Sequence, residues 1–83
     1  MSKAYDLLSP EGRALLDETM ERLDILYDPQ VRLLAAGGSG RGGHSVRASA
    51  HYALGLLIRG GQEDTRRAAG VIGAVIDTQF DWP

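Results

Sequence analysis

The chain has 83 residues, no cysteine and a formal net charge of −2 from nine basic and eleven acidic side chains. This length allows a single domain that buries only about 60% of its unfolded surface. The lack of cysteine excludes disulfides and thiolate metal sites. The eight arginines are spread along the chain, whereas nucleic-acid binders concentrate basic residues. Without a signal peptide or a long apolar segment, the chain is predicted to be cytoplasmic, with neither nucleic acid nor a membrane as partner.

The first predicted helix begins at Pro10. Ser9 is placed to cap it, Pro10 suits the first helical position, and Glu11 suits the positive end of the helix dipole. Apolar residues then recur at helical spacing, at Leu16, Met20, Leu23 and Tyr27. This pattern predicts an amphipathic helix. Asp28 and Pro29 end it, because a residue before proline is disfavoured in the α region.

Residues 31–36 leave three structures open: a short strand, an extended segment or a single helical turn. They precede a glycine-rich segment that begins with Gly37 and ends with Gly43. Its spacing satisfies the G-x-G-x-x-G pattern of dinucleotide sites. It also misses a phosphate-binding Walker A loop only because His44 replaces the lysine. Phosphate or dinucleotide binding by this loop is one interpretation, and a plain connecting loop is the other.

The second helix is predicted over residues 45–59 and carries a cationic line. On a helical wheel, His44, Arg47, His51 and Gly55 share one narrow stripe, while the opposite side is apolar. A charged line on a buried helix is costly unless it faces a cavity, a partner charge or a ligand. We therefore predict that His44, Arg47 and His51 bind substrate. Core histidines paired by hydrogen bonds are the alternative.

The third helix is predicted over residues 63–80, after a turn at Gly60 and Gly61. These glycines provide the left-handed backbone that ends a helix. The short connection predicts that the second and third helices form an antiparallel αα-hairpin. Gly70 and Gly73 each weaken a helix by up to about 1 kcal/mol relative to alanine. We expect them to let another helix approach closely.

The carboxyl end of the third helix combines acids with aromatic rings. Asp77 and Asp81 stand one turn apart, with Phe80 and Trp82 alongside. Such groups can form a sugar-binding subsite, in which a ring stacks on the sugar and carboxylates hold its hydroxyls. Asp81 and Trp82 are therefore predicted to contact substrate. The alternative is that the rings belong to the core and the acids to the surface.

Four features together resemble the first hairpins of six-hairpin (α/α) toroid enzymes: the stretch RGGHSVRASAHYALGLL, the Gly-Gly turn, the stretch AAGVIGAVIDTQ and the final Asp-Trp-Pro. That group includes glycoside hydrolases, polysaccharide lyases and sugar epimerases. The resemblance covers residues 27–83. It implies that residues 1–83 are a single helical unit, the amino-terminal part of a larger domain, and inactive alone. It also implies that the cationic line faces a substrate funnel.

We therefore predict an all-α fold of three main helices, including an antiparallel αα-hairpin, as a fragment of an (α/α) toroid. The predicted function is to contribute cleft residues to a carbohydrate-active enzyme with a small-molecule or oligosaccharide substrate. Its catalytic residues are unknown, and no cofactor or metal is predicted. The alternative is a non-enzymatic interaction or dimerisation module. It would dock the apolar face of the second helix and the glycine face of the third on partner helices, as in a homo-oligomer. The partners that the toroid fragment implies are instead the carboxy-terminal helices of the larger domain.

Overall fold

A computed structural model describes residues 3–35 and 44–80. Within those ranges the elements are α1 (Lys3–Leu7), α2 (Pro10–Leu26), β1 (Tyr27–Asp28), β2 (Leu33–Ala35), β3 (His44–Ser45), α3 (Val46–Arg59) and α4 (Gln62–Phe80). The chain is predominantly helical, as predicted. The helix α1 and the small sheet were not predicted. Among the described residues, no helix has both the length and the apolar character needed to cross a membrane.

The start of α2 confirms the predicted cap. Ser9 Oγ accepts a hydrogen bond from the Gly12 amide at 3.0 Å, and Pro10 is the first helical residue. The helix ends at Leu26, because Tyr27 turns to an extended conformation (φ −68°, ψ 127°). The helix α2 therefore ends before the predicted stop at Asp28 and Pro29, and Tyr27 and Asp28 form β1 instead.

The three strands form an antiparallel sheet in the order β1-β2-β3. Leu34 lies at its centre, opposite Tyr27 on one side and Ser45 on the other. Three structures were possible for residues 31–36, and the strand is the one that forms, over Leu33–Ala35. The sheet places the start of α3 beside the end of α2.

The helices α3 and α4 form the predicted hairpin. Ser45 Oγ caps α3 by accepting from the Ala48 amide at 3.1 Å. Gly60 and Gly61 have positive φ angles of 78° and 98°, which confirms that these glycines make the turn. The groove between the two helices shows that they are antiparallel, because Ala50 near the start of α3 and Ile76 near the end of α4 both line it.

The core lies where the hairpin packs on α2 and β2. It contains Met20, Leu34, Tyr52, Ala53, Leu56, Ala68 and Val71. The close approach occurs at Gly55, where an added Cβ would overlap the buried sulfur of Met20. Among the described residues, no helix lies close to Gly70 or Gly73, so the approach of a partner's helix there stays a prediction. A Cβ at Gly70 would meet the Arg32 side chain, and one at Gly73 would meet nothing within 4 Å among the described residues.

Ser49 joins the sheet to α3. Its side chain is completely buried, accepts from the Leu34 amide at 2.7 Å and donates to the Ser45 carbonyl at 2.5 Å. The Ser49→Ala variant is expected to lose about 1–3 kcal/mol of unfolding free energy, because the Leu34 amide stays buried without a partner. Urea unfolding followed by circular dichroism measures this loss.

Thr78→Ala is the matched control. The Thr78 hydroxyl donates to the Ala74 carbonyl at 2.8 Å within the same helix, and its residue is exposed. Its removal should change stability by less than about 0.5 kcal/mol. An equal effect of the two substitutions would show that the buried serine is not a link between sheet and helix.

Candidate interaction face

The predicted cationic line does not lie on one helix. His44 belongs to β3, where its Nε2 lies 3.1 Å from Asp28 Oδ2. Arg47 and His51 lie on α3 and are exposed. The expectation of a buried line is therefore wrong, because α3 begins after its Ser45 cap and buries another side. Substrate contact by His44, Arg47 and His51 stays a prediction.

The pair of His44 and Asp28 ties the outer strands of the sheet together. The Gln30 amide, at 3.0 Å from Asp28 Oδ1, and then the His44 ring hold the pKa of Asp28 below its ordinary value. This carboxylate stabilises the turn between β1 and β2 and stands beside the start of α3.

Several predicted ligand-binding groups lie outside the described residues. They are Asp81, Trp82 and the glycine-rich loop of residues 37–43. Sugar binding by the first two and phosphate or dinucleotide binding by the loop stay predictions.

A polar cluster that the sequence patterns did not indicate connects α2, α3 and α4. The Tyr52 hydroxyl donates to Asp24 and accepts from Arg67 Nη1 at 3.1 Å. Arg59 binds Asp64 through two nitrogens at 2.5 and 2.9 Å and reaches Asp24 at 3.3 Å. Burial and then the Asp24 hydrogen bond raise the pKa of Tyr52 to about 12. The hydroxyl therefore stays a protonated donor, and the cluster fixes the packing of three helices.

The outer side of the hairpin is apolar and largely exposed. On α3, Leu54 and Leu57 are 59% and 40% exposed, and on α4, Ile72 and Ile76 are 39% and 49% exposed. Between the helices runs a groove of about 290 Å³ lined by Ala50, Ala53, Leu54, Ile72, Val75 and Ile76. Exposed contiguous apolar surface of this kind is typical of a protein interface.

We call this surface the hairpin face. It is defined by the half-buried Ala50 and by five exposed residues, which are Leu54, Leu57, Ala69, Ile72 and Ile76. On each helix they fall within about 60° of one another, at 100° per residue. Each helix presents, from its amino end, one alanine followed by two large branched side chains. Since the helices are antiparallel, the alanines occupy two diagonally opposite corners of the face, and Leu57 and Ile76 occupy the other two.

Polar side chains, of which Arg47 and Asp77 are charged, border the hairpin face at one end. Arg47 and His51 are exposed on the outer flank of α3. Asp77 is exposed on the outer flank of α4, close to the same end because the helices are antiparallel. At this end the face therefore has an apolar centre, a cationic edge on α3 and an anionic edge on α4.

Comparison with known proteins identifies a family without indicating an activity. A family model described as a domain of unknown function (DUF8769) matches residues 13–83. No curated protein and no solved structure matches the chain significantly. The family match includes the whole hairpin and most of α2.

Proposed function

The chain belongs to the DUF8769 family, and we propose that it is a homodimerisation module in which two copies join through their hairpin faces as a four-helix bundle. The observation that carries this proposal is the arrangement of small and large side chains at the corners of the face. A surface that binds a second copy across a two-fold axis must be complementary to itself. The hairpin face meets this condition.

A two-fold axis parallel to the helices places α3 of one copy over α4 of the other. Leu54 then lies opposite Ile72 of the second copy at the centre. At the corners, Ala50 lies opposite Ile76 and Leu57 opposite Ala69. At the corners each large side chain thus meets a small one, which favours interdigitated packing around the central pair of Leu54 and Ile72. Gly73, with open space above its Cα, allows close approach of the second copy.

The same axis brings unlike charges together. The outer flank of α3 then faces the outer flank of α4 of the second copy, so that Arg47 and His51 approach Asp77. All neighbouring helices in this bundle are antiparallel, which also aligns their dipoles favourably. Charge complementarity at the rim gives orientation and specificity more than affinity.

Dimerisation also supplies burial that the monomer lacks. An 83-residue chain without disulfides has little core to stabilise it alone. Full burial of each exposed leucine or isoleucine contributes on the order of 1.5–3 kcal/mol. The partly exposed side chains of the hairpin face would gain a fraction of this on association.

Charge reversal tests both the dimer and its orientation. In the Arg47→Glu dimer, the new glutamate of each copy faces Asp77 of the other copy. In the Asp77→Lys dimer, the new lysine of each copy faces Arg47 of the other copy. Each variant alone should dimerise about tenfold more weakly, since each exposed pair is worth up to about 1 kcal/mol. Mixing the two restores opposite charges at every contact. Sedimentation velocity should therefore show more dimer in the mixture than in either solution.

Equal dimer content in the mixture and in the separate variants would rule out this orientation. A role in a carbohydrate-active (α/α) toroid enzyme stays a prediction, and it requires a different partner for the hairpin face. In a toroid, further helices of the same polypeptide would cover it. Purely monomeric behaviour of the unmodified chain and of both variants would favour that role over dimerisation.

A further inference from the structure

A second concave surface lies on a different side of α4 from Ile72 and Ile76. The turn between β1 and β2 packs there against the first turns of the helix and forms a groove of about 420 Å³. Three arginines line this groove, namely Arg32 from the turn and Arg66 and Arg67 from α4. Glu63 is the acidic residue that lines it with them. The groove therefore carries three positive charges against one negative charge.

The backbone at Arg32 adopts a conformation that is rare for residues other than glycine. Its φ angle is 61°, and its amide donates to the Asp28 carbonyl at 2.7 Å. Such backbone strain costs about 1–3 kcal/mol and is concentrated at functional sites. The side chain then runs along α4 over Gly70, where an added Cβ would lie 3.3 Å from Arg32 Cδ. The missing side chain at Gly70 thus leaves room for the aliphatic part of Arg32 against α4.

Arg67 is held in a fixed position by aromatic partners. Its guanidinium carbon lies 4.4 Å from the centre of the Tyr27 ring, and its Nη1 donates to the Tyr52 hydroxyl at 3.1 Å. The same nitrogen lies 3.6 Å from Asp24 Oδ1. Two of its three nitrogens therefore make no hydrogen bond with the described residues. A guanidinium that is already ordered loses little entropy when it binds an anion.

Arg66 is held more loosely. It lies 3.4 Å from Glu63, and the two side chains are 69% and 88% exposed. An ion pair this long and this exposed contributes little stability, so a doubly charged anion can compete with the glutamate. Arg66 can therefore turn toward a ligand in the groove.

We propose that this groove binds a phosphate group, as inorganic phosphate or a small phosphomonoester. Guanidinium groups bind phosphate oxygens through paired, charge-assisted hydrogen bonds. Three arginines and one glutamate line the groove, and Asp24 lies 3.6 Å from Arg67. The remaining excess of positive charge favours an anion such as a phosphomonoester, which carries about −1.5 to −2 at neutral pH. The proposal is independent of dimerisation and of the glycine-rich loop.

Inorganic phosphate is the first probe, added to isotope-labelled protein at constant ionic strength with chloride as the reference salt. Amide shifts in nuclear magnetic resonance spectra should concentrate at residues 27–32 and 63–70. Phenyl phosphate is the second probe, and tighter binding of this ester than of inorganic phosphate would identify a phosphomonoester as the preferred ligand. Shifts of the same size with chloride alone would overturn the proposal.

Two variants separate binding from folding. Arg32→Gly removes a guanidinium and suits the positive φ angle, so the fold should be kept while phosphate affinity falls at least about tenfold. Arg66→Met should weaken binding to a similar degree. Arg22→Met is the control, because Arg22 is exposed on α2 and pairs only with Glu18 among the described residues. Equal phosphate affinity in all three variants would contradict the assignment.

Discussion

The Leu54→Asp variant is expected to be monomeric at concentrations where the unmodified chain is dimeric. Leu54 lies at the centre of the hairpin face, opposite Ile72 of the second copy, and is 59% exposed in the single chain. An aspartate there is solvated in the monomer but loses water in the dimer, without a cation to pair with. Because the two-fold axis repeats the substitution, the dissociation constant should rise at least about 100-fold. Sedimentation equilibrium measures it.

Ile25→Asp is the matched control for this substitution. Ile25 is 83% exposed on α2 and does not belong to the hairpin face. It tests whether an added negative charge on any exposed apolar position weakens association. This control should leave the dissociation constant within about threefold of the unmodified value. Loss of dimer in both variants would mean that the hairpin face is not the specific contact.

Tyr52→Ala is expected to cost about 3–5 kcal/mol of unfolding free energy, the largest effect on stability that we predict. Tyr52 is completely buried at the centre of the core, and its ring packs 6.0 Å from the centre of the Tyr27 ring. Truncation removes that packing and the hydroxyl that joins Asp24 to Arg67. A loss of this size approaches the whole stability of a small domain. The variant should therefore lack a cooperative unfolding transition in urea.

Tyr52→Phe separates the hydroxyl from the ring. This variant keeps the packing and removes only the hydrogen bonds to Asp24 and Arg67, so a loss of about 1–2 kcal/mol is expected. Both substitutions are best made in the Leu54→Asp background, because dimerisation would make the apparent stability depend on protein concentration. A cooperative transition for Tyr52→Ala at the position of the Tyr52→Phe transition would contradict a central packing role for this ring.

Features encoded by neighbouring residues were predictable from the sequence. Ser9 and Pro10 specify the start of α2, because a cap needs only a side-chain oxygen and the amide three residues later. Gly60 and Gly61 specify the hairpin turn for an equally local reason. The predominantly helical fold and its antiparallel hairpin follow from such signals.

Features that depend on distant residues were not predictable in this way. Helical spacing assigns His44 to the cationic line of a helix, but His44 pairs with Ala35 and belongs to a strand. Tyr52 and Asp24 are 28 residues apart in the chain, so no local spacing indicates their hydrogen bond. The sheet and the polar cluster both arise from contacts that only the folded chain brings together.

Periodicity also could not decide which apolar side of each helix becomes the core. Helical spacing puts Leu56 and Leu57 on one apolar side, opposite the predicted cationic line, yet Leu56 is fully buried and Leu57 is 40% exposed. On α4, Ala68 and Ile72 are four residues apart and so share one side of the helix, although the first is buried and the second is exposed. Each helix has an apolar arc wide enough for two surfaces. One arc packs on α2 and β2, and the other forms the hairpin face.

The mass of the unmodified chain in solution tests dimerisation most directly. Sedimentation equilibrium from micromolar to millimolar concentration should show a reversible shift from 8.9 kDa to twice that mass, with no larger species because a two-fold contact closes. A folded species that stays at 8.9 kDa over the whole range would show that the hairpin face does not join two copies.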